Sequence, residues 1–408
     1  MSETRELLIL GGGLVGMTTA LAAARKGISS HVVDMADPAA LTQDGFDGRA
    51  SAISTASWNL FANIGLADRL APQGCPIDAI AVTDGMKPGR IDFRPEPDAN
   101  GHGGSLGYMF ANQVLRVALF EAAREEPLIA WHAPARVVSR QRDAHGVSAT
   151  LASGEVLKAR LMIAAEGRRS PTRDEAGLKL AQWDYRHRAI ITGLTHERPH
   201  DNVAWEIFYP AGPFALLPML DGPAGEHRSA LVWTVAEKDA AGVLALSERG
   251  FLAEVDKRMQ GIFGHVSLNS ARTSYPLRYQ RTARITAERL ALVGDAAHGI
   301  HPIAGQGLNL GLRDVGALVE VLVEGMRLGL DPGDAQLLGR YERWRSLDSF
   351  SVAAATDAIT HLFGIPGRAA SAIRRLGMAG VQRSGILKRF FMDEARGVSG
   401  RLPELLQG

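Results

Sequence analysis

Apolar positions along this chain recur in two periods, and the switches between them mark its elements. A compact apolar run, Glu6 to Leu10 (ELLIL), is cut off by glycine and predicts a short strand buried on both faces. The next stretch, LVGMTTALAAARKG, has helical composition and closes on Gly27, a C-cap position, and Ser29 to Asp34 (SSHVVD) predicts a second strand. Phe110 to Glu126 predicts an amphipathic helix, with Val114, Leu115, Ala118 and Leu119 at helical spacing. Between them, Pro76 to Ser105 is rich in Pro, Gly and Asp and predicts a loop-like excursion with some strand. From Arg136 to Ala165 the pattern is β, with turns at His145-Gly146 and Ser153-Gly154 that suggest a meander returning to the first sheet. Short β-like runs recur from Asp184 to Tyr275, interrupted by one helix near Ser247 to Met259. The run RLALVGD predicts another buried strand, and beyond it the pattern is helical to the end, broken at Gly364 to Gly367.

The class is α/β. Residues 1–75, 106–180 and 279–345 form three parts of one domain, 76–105 is an excursion toward a second, 181–278 is that second, sheet-rich domain, and 346–408 is a helical C-terminal region. Composition changes this picture little: 46% apolar and 22% charged residues are ordinary for a globular protein. A balance of 45 basic against 44 acidic residues argues against a nucleic-acid partner. The single cysteine, Cys75, excludes an intrachain disulfide and any cysteine-built zinc or iron–sulfur site, which points to a reducing, cytoplasmic setting and an inert buried thiol. No secretory signal is expected, because Glu3 and Glu6 precede the first apolar run and glycines follow it. No stretch reaches the roughly 18 apolar residues that a membrane span needs.

The chemistry concentrates in two glycine-rich turns. Gly11, Gly13 and Gly16 stand in the G-x-G-x-x-G frame between the first strand and helix, where glycines allow a tight turn and the helix start faces a pyrophosphate. Asp34 ends the second strand, 18 residues after Gly16, where a carboxylate accepts bonds from ribose hydroxyls. Much later, GDAAHGIHPIAGQGLNLGLRD (Gly294 to Asp314) repeats the design: a strand ending in Gly294-Asp295, then a helix opened by Gly305 and Gly307. Asp295 is placed to bond a polyol. Both turns together suit the two ends of one long ligand, and FAD meets that requirement. His298 and His301 are spaced i, i+3, but further ligands for a metal are scattered, so no metal is expected and a scaffolding role is.

LILGGGLVG with Asp34, AAEGRRSPTR (Ala164 to Arg173) and LALVGDAAHGIHPIAGQGLNLGLRDV together resemble the three signatures of the class A flavoprotein aromatic hydroxylases, similar in plan to p-hydroxybenzoate hydroxylase. With DGRASAIS and LKRFFMDEARG, the resemblance narrows to the ubiquinone-biosynthesis hydroxylases. One departure is Glu166-Gly167 where the family has Asp-Gly; Arg168, Ser170 and Arg173 keep the rest of that frame. The resemblance implies a glutathione-reductase-type, Rossmann-like FAD-binding domain with an inserted β-sheet substrate domain and a helical C-terminal region. It implies bound FAD, with NAD(P)H and O2 as co-substrates, and hydroxylation of a lipophilic, polyprenylated phenol through a flavin C4a-hydroperoxide. Gly11, Gly13, Gly16, Asp34, Arg49, Gln113, Glu166, Gly167, Asp295, Gly305, Gln306, Gly307, Leu308 and Asn309 are the expected cofactor residues. Pro302, Gly305 and Gly307 are the expected catalytic loop, and Phe214, Leu216 and Leu217, in a strand that otherwise reads as ordinary core, are candidates to line the substrate. Residues Ile359 to Gly408 hold eight cations against three acids, a basic region suited to the inner face of a membrane or to a partner protein, or simply a solvated helical face. A hydroxylase of a soluble aromatic compound and a non-catalytic FAD-binding subunit remain as alternatives.

Overall fold

Leu7, Leu8, Ile9 and Leu10 are all buried, as a strand covered on both faces requires. In the computed structural model, which describes residues 3–37, 46–85, 89–95, 104–299, 306–346, 380 and 384–408, they belong to a central strand, Arg5–Leu10, of an eight-stranded sheet. That strand pairs in parallel with Val156–Ala164 on one side and Ser30–Val33 on the other. Leu290–Leu292 and Ile129–His132 extend the parallel array outward. Val137–Asp143 and Gly146–Leu151 form the antiparallel meander that feeds Val156–Ala164. Segments far apart in sequence therefore close one sheet.

Helix Leu14–Ala24 is buried from Gly16 through Ala24, which its small side chains permit. Its two threonines satisfy themselves inside the helix, Thr18 Oγ1 donating to Leu14 O and Thr19 Oγ1 to Val15 O. Helix Gln306–Arg327 packs beside it. The approach is close at Gly311, where a Cβ would stand 3.0 Å from Val15 and 3.1 Å from the Gly294 Cα.

A nine-stranded sheet makes the second layer. Its path runs His298–Gly299, Thr273–Thr282, Leu180–His196, His227–Ala236, Gly212–Met219, Val203–Tyr209, Ala79–Asp84, Arg90–Phe93, with Val266–Leu268 beside Leu180–His196. Helices Glu237–Ala245 and Glu248–Met259 cover its back, and Phe214, Trp233, Phe251 and Phe263 fill that core. Its front meets a small sheet of Ala50–Ser54, Gly107–Ala111 and Cys75–Pro76.

Three details differ from the sequence pattern. The Pro- and Gly-rich excursion delivers two full strands, Ala79–Asp84 and Arg90–Phe93, to the second sheet. Phe110 and Ala111 are strand, because pairing with Ser51 and Ala50 wins over their helical spacing, and the helix begins at Asn112. Helix Glu237–Ala245 carries no periodic signal strong enough to announce it. Ser247, by contrast, caps the helix expected there, its hydroxyl accepting from Gly250 N. No helix among the described residues is long and apolar enough to cross a membrane.

Candidate active site

The first glycine turn is built against the end of strand Val156–Ala164. Gly11 has φ +104°, and a Cβ there would lie 2.5 Å from Ala165 O. Gly13 is the N-cap of helix Leu14–Ala24; it is extended and no side chain caps the helix. The space a Gly13 Cβ would occupy is open. The first-turn N–H groups thus face an open cradle, the feature that fits a pyrophosphate. Asp34 braces the cradle, Oδ2 accepting from Gly12 N at 2.5 Å and Oδ1 from Ala36 N at 2.7 Å. A carboxylate accepts up to about four bonds, so two positions remain for ribose hydroxyls.

Glu166 behaves differently from its expected role. Its Oε2 accepts from Ser170 Oγ at 2.6 Å and from Thr172 N at 3.2 Å, and its Oε1 from Arg140 Nη2 at 3.2 Å. The longer side chain is committed to the protein, where it holds the start of helix Pro171–Glu175. What stands beside the glycine turn is the Glu166 main chain, its N 2.9 Å from where a Gly11 Cβ would lie. Gly167, at φ +75°, turns the chain away. Arg49 forms a two-pronged ion pair with Asp47, at 2.5 and 2.7 Å, on a half-exposed edge. Arg116 stands 3.6 Å from the same carboxylate, and Gln113 is half-buried in the first turn of helix Asn112–Glu125.

At the other end, Asp295 follows strand Leu290–Leu292. Its carboxylate is 42% exposed and meets Arg168 Nε at 3.1 Å, so it faces open space with one partner. Gln280, which has no sequence signal of its own, ties the two turns together: Nε2 donates to Asp295 O at 2.8 Å and to Arg168 O at 3.3 Å. Pro302, Gly305 and His301 lie outside the described residues. Gln306 and Leu308 are half-buried, and the space around Gly307 is open. Asn309 is used structurally: Oδ1 accepts from Ser54 N at 3.0 Å and Nδ2 donates to Ala52 O at 2.8 Å, so the amide pairs with strand Ala50–Ser54 as a peptide group would.

His298 and Asp314, far apart along the second glycine turn, meet in the core. His298 Nε2 lies 2.7 Å from Asp314 Oδ2. Arg345 Nε donates to Asp314 Oδ1 at 2.7 Å, and Gly294 N donates to Oδ2 at 2.9 Å. Burial alone would raise the Asp314 carboxyl, but the His298 and Arg345 charges outweigh it and hold the group below the usual carboxylate range. His298 is scaffold, and among the described residues no cluster of His, Cys, Asp or Glu could hold a metal. Cys75 is buried, and burial pushes its thiol up to about 12, so it is no nucleophile at neutral pH.

The three substrate-strand candidates separate by the two-residue alternation of the strand. Phe214 and Leu216 point to the helix-covered back, in the core with Trp233 and Phe251. Leu217 points to the front, with Ala50, Ala52, Met109 and Ala204. The front is the side that Asn309 joins to the start of helix Gln306–Arg327. Of the three, only Leu217 therefore faces the side that Asn309 joins to helix Gln306–Arg327. Phe214→Ala is expected to cost about 3–5 kcal/mol of stability, whereas Leu217→Ala should lower stability less and shift the KM for a bulky phenol; denaturant melts and steady-state kinetics separate the two.

The residues present fit FAD: an open, uncapped helix start with the Asp34 carboxylate at one end, and the exposed Asp295 beside helix Gln306–Arg327 at the other. Residues 4–355 match the family described as "FAD binding domain". The chain is similar to the ubiquinone hydroxylase UbiL of Rhodospirillum rubrum, 45% identical over 98% of this chain and 92% of that one. It is also similar to the 3-demethoxyubiquinol 3-hydroxylase of Escherichia coli, 32% identical over 97% of this chain and 100% of that one. Among solved structures, p-nitrophenol 4-monooxygenase of Pseudomonas putida superposes with a TM-score of 0.78 over 98% of this chain and all of that one, at 18% identity, a likeness of fold.

Proposed function

This chain belongs to the FAD binding domain family, and from that premise we propose that it hydroxylates the aromatic ring of a polyprenylated phenol on the way to ubiquinone. It is an FAD-dependent aromatic-ring monooxygenase that uses NAD(P)H and O2. The observation that carries the substrate class is near-full-length similarity to two ubiquinone-pathway hydroxylases from different bacteria.

Bound FAD supplies the redox chemistry, carrying electrons from NAD(P)H to O2 so that one oxygen atom reaches the ring. The protein binds, orients and shields. Gly11 to Gly16 and the helix behind them take the pyrophosphate, and Asp34 takes the adenosine ribose. Asp295 bonds the ribityl chain, giving up part of its contact with Arg168. The start of helix Gln306–Arg327 would turn its positive end toward the flavin and favour negative charge there. The front of the second sheet, with Leu217 and Ala204, presents an apolar wall to the phenol.

Asp295→Asn tests the far clamp. The Arg168 pair is half-exposed and contributes about 0–1 kcal/mol, so the fold should hold. FAD affinity should fall about tenfold as a charge-assisted bond is weakened. Flavin fluorescence titration measures it, and unchanged affinity would remove Asp295 from the site.

The tail suits a membrane-dwelling substrate. In helix Gly385–Ala395, Arg389 is exposed beside Phe390, itself 56% exposed. Arg401 instead stacks on Trp344 and pairs with Glu320, and Arg368, Arg374, Arg375 and Arg383 lie outside the described residues. We read this region as a peripheral contact with the inner face of the membrane. The deciding experiment supplies FAD-loaded protein, NAD(P)H and O2 with a prenylphenol in anionic vesicles or with soluble phenols, and follows products by mass spectrometry. Product from the prenylphenol supports the reading; product from soluble phenols alone replaces it with hydroxylation of a soluble aromatic.

A further inference from the structure

Glu206 is a buried carboxyl that nothing above employs. It sits in strand Val203–Tyr209 and is 8% exposed. Among the described residues it makes no hydrogen bond and no ion pair, although an unpaired buried acid is costly to a fold. Alternation places it on the front of the second sheet. Ala204, two residues earlier, packs with Met109 and the strand Ala50–Ser54, whereas Ile207 belongs to the back core. Across the sheet Glu206 is opposite Val82 on one side and Ala215 on the other. The wall around it is apolar, and it is the wall that meets the strand anchored by Asn309 to the flavin-end helix.

We infer that Glu206 receives the phenolic hydroxyl of the substrate and takes its proton as the ring is hydroxylated. This rests on the function proposed above. The phenolic O–H bond breaks, the proton passes to a Glu206 oxygen, and the electron pair left behind moves into the ring as the new C–O bond forms ortho or para to it. One atom of O2 enters the ring and the other leaves as water, with NAD(P)H as reductant. As the ring regains aromaticity, the displaced ring hydrogen leaves as a proton and Glu206 returns its own. An unpaired carboxylate on an apolar wall suits this task, because a hydroxyl is the one donor a prenylphenol brings.

Burial raises the Glu206 carboxyl to about 7, and no neighbouring charge adds to this. The other titratable groups on this face among the described residues include Asp84, opposite Phe208 on the adjoining strand, Cys75, beside Ala204, Arg228, opposite Met219, and, farther along the sheet, His187 and Tyr275, the latter opposite Ala189. The sign follows. Glu206 stays protonated in the folded chain until about pH 7 but ionises near 4.5 when unfolded, so ligand-free stability should fall as pH rises between those values. Glu206→Gln should abolish that slope. In the other direction, the ionised form is the proton acceptor, so wild-type turnover should fall below about pH 7.

The test uses FAD-loaded wild type and Glu206→Gln with a short-chain prenylphenol. Its binding to the oxidised protein, read from flavin absorbance, should tighten about tenfold through neutral pH in the wild type and stay flat in the variant. Product formation at pH 8 should fall about a hundredfold in the variant, with the acid limb of the kcat/KM profile lost; Glu206→Asp should recover part of the rate and the limb. A Glu206→Gln protein with wild-type rate and pH profile overturns the inference, as does phenol binding with the same pH dependence in both. Should the wild type hydroxylate no phenol, the proposed function fails, and the binding and stability profiles still judge Glu206. A Gln variant that does not take up FAD passes the decision to Glu206→Leu, which has no carboxyl and whose wild-type rate and pH profile would also overturn it.

Discussion

Substituting Asp314 with alanine is expected to cost about 3–5 kcal/mol of folding stability and to release most of the bound flavin. Asp314 has no exposed surface and faces the Arg345 guanidinium, the His298 ring and one backbone N–H, Gly294. Removing it leaves the Arg345 guanidinium, itself 1% exposed, without its carboxylate in the core. The same cut frees Gly294, the residue before Asp295, and His298, eight residues before helix Gln306–Arg327. Stability loss and cofactor loss should therefore appear together. Denaturant melts with flavin absorbance as a second probe check this, and an unchanged midpoint would mean the buried pair is dispensable. The pH dependence has a definite sign. Because the folded Asp314 carboxyl lies below its ordinary value of 3.8, its stabilisation is present above that value and is lost as pH falls through the depressed one. Acid unfolding should begin at lower pH in wild type than in Asp314→Asn, which removes the charge but keeps the shape.

Gly16→Ala is expected to yield a folded protein that purifies colourless. An added Cβ would stand 1.8 Å from Gly11 O and 3.3 Å from Ala165 Cβ. The first obstacle is backbone, so no rotamer change relieves it; either the glycine turn or the first turn of helix Leu14–Ala24 must move. Gly11 cannot yield easily, since its own position is set by Ala165 O and the edge of strand Val156–Ala164. FAD affinity should fall at least about a hundredfold, or about 2.7 kcal/mol. Gly13→Ala is the informative companion, because its Cβ would meet no protein atom. Any loss of FAD there reports approach of the ligand itself, with the melting temperature of the cofactor-free protein unchanged. Retention of wild-type affinity in both variants would move the nucleotide away from this turn.

Much of the nucleotide site is legible because it is local. Gly11, Gly13 and Gly16 fall within one turn, and Asp34 follows the next strand, so spacing alone brings together the residues proposed for the nucleotide. The second glycine turn is legible for the same reason as far as Asp295. Its histidine is not: His298 as ligand, catalyst or scaffold is decided by Asp314 and by Arg345, which sits 47 residues on from His298 in another helix. Glu166 shows the converse. Its motif frame suggested a cofactor contact, yet the extra methylene carries the carboxylate to Ser170, Thr172 and Arg140. Asn309 likewise sits in a cofactor motif and spends both ends of its amide on strand Ala50–Ser54.

What the chain determines by itself is what short-range sterics and periodicity can specify: a strand–helix–strand glycine turn, a second glycine-rich turn after a buried strand, and a β-rich second sheet. Tertiary structure alone decided which face each strand presents, and with it that Leu217 and Glu206 look toward the front while Phe214 and Leu216 fill the back. The reason is that a strand alternates its side chains whatever lies above or below it. The helices behind the sheet and the small sheet in front arrive from segments the strand pattern does not mention, and only their packing assigns one face to the core and the other to the substrate.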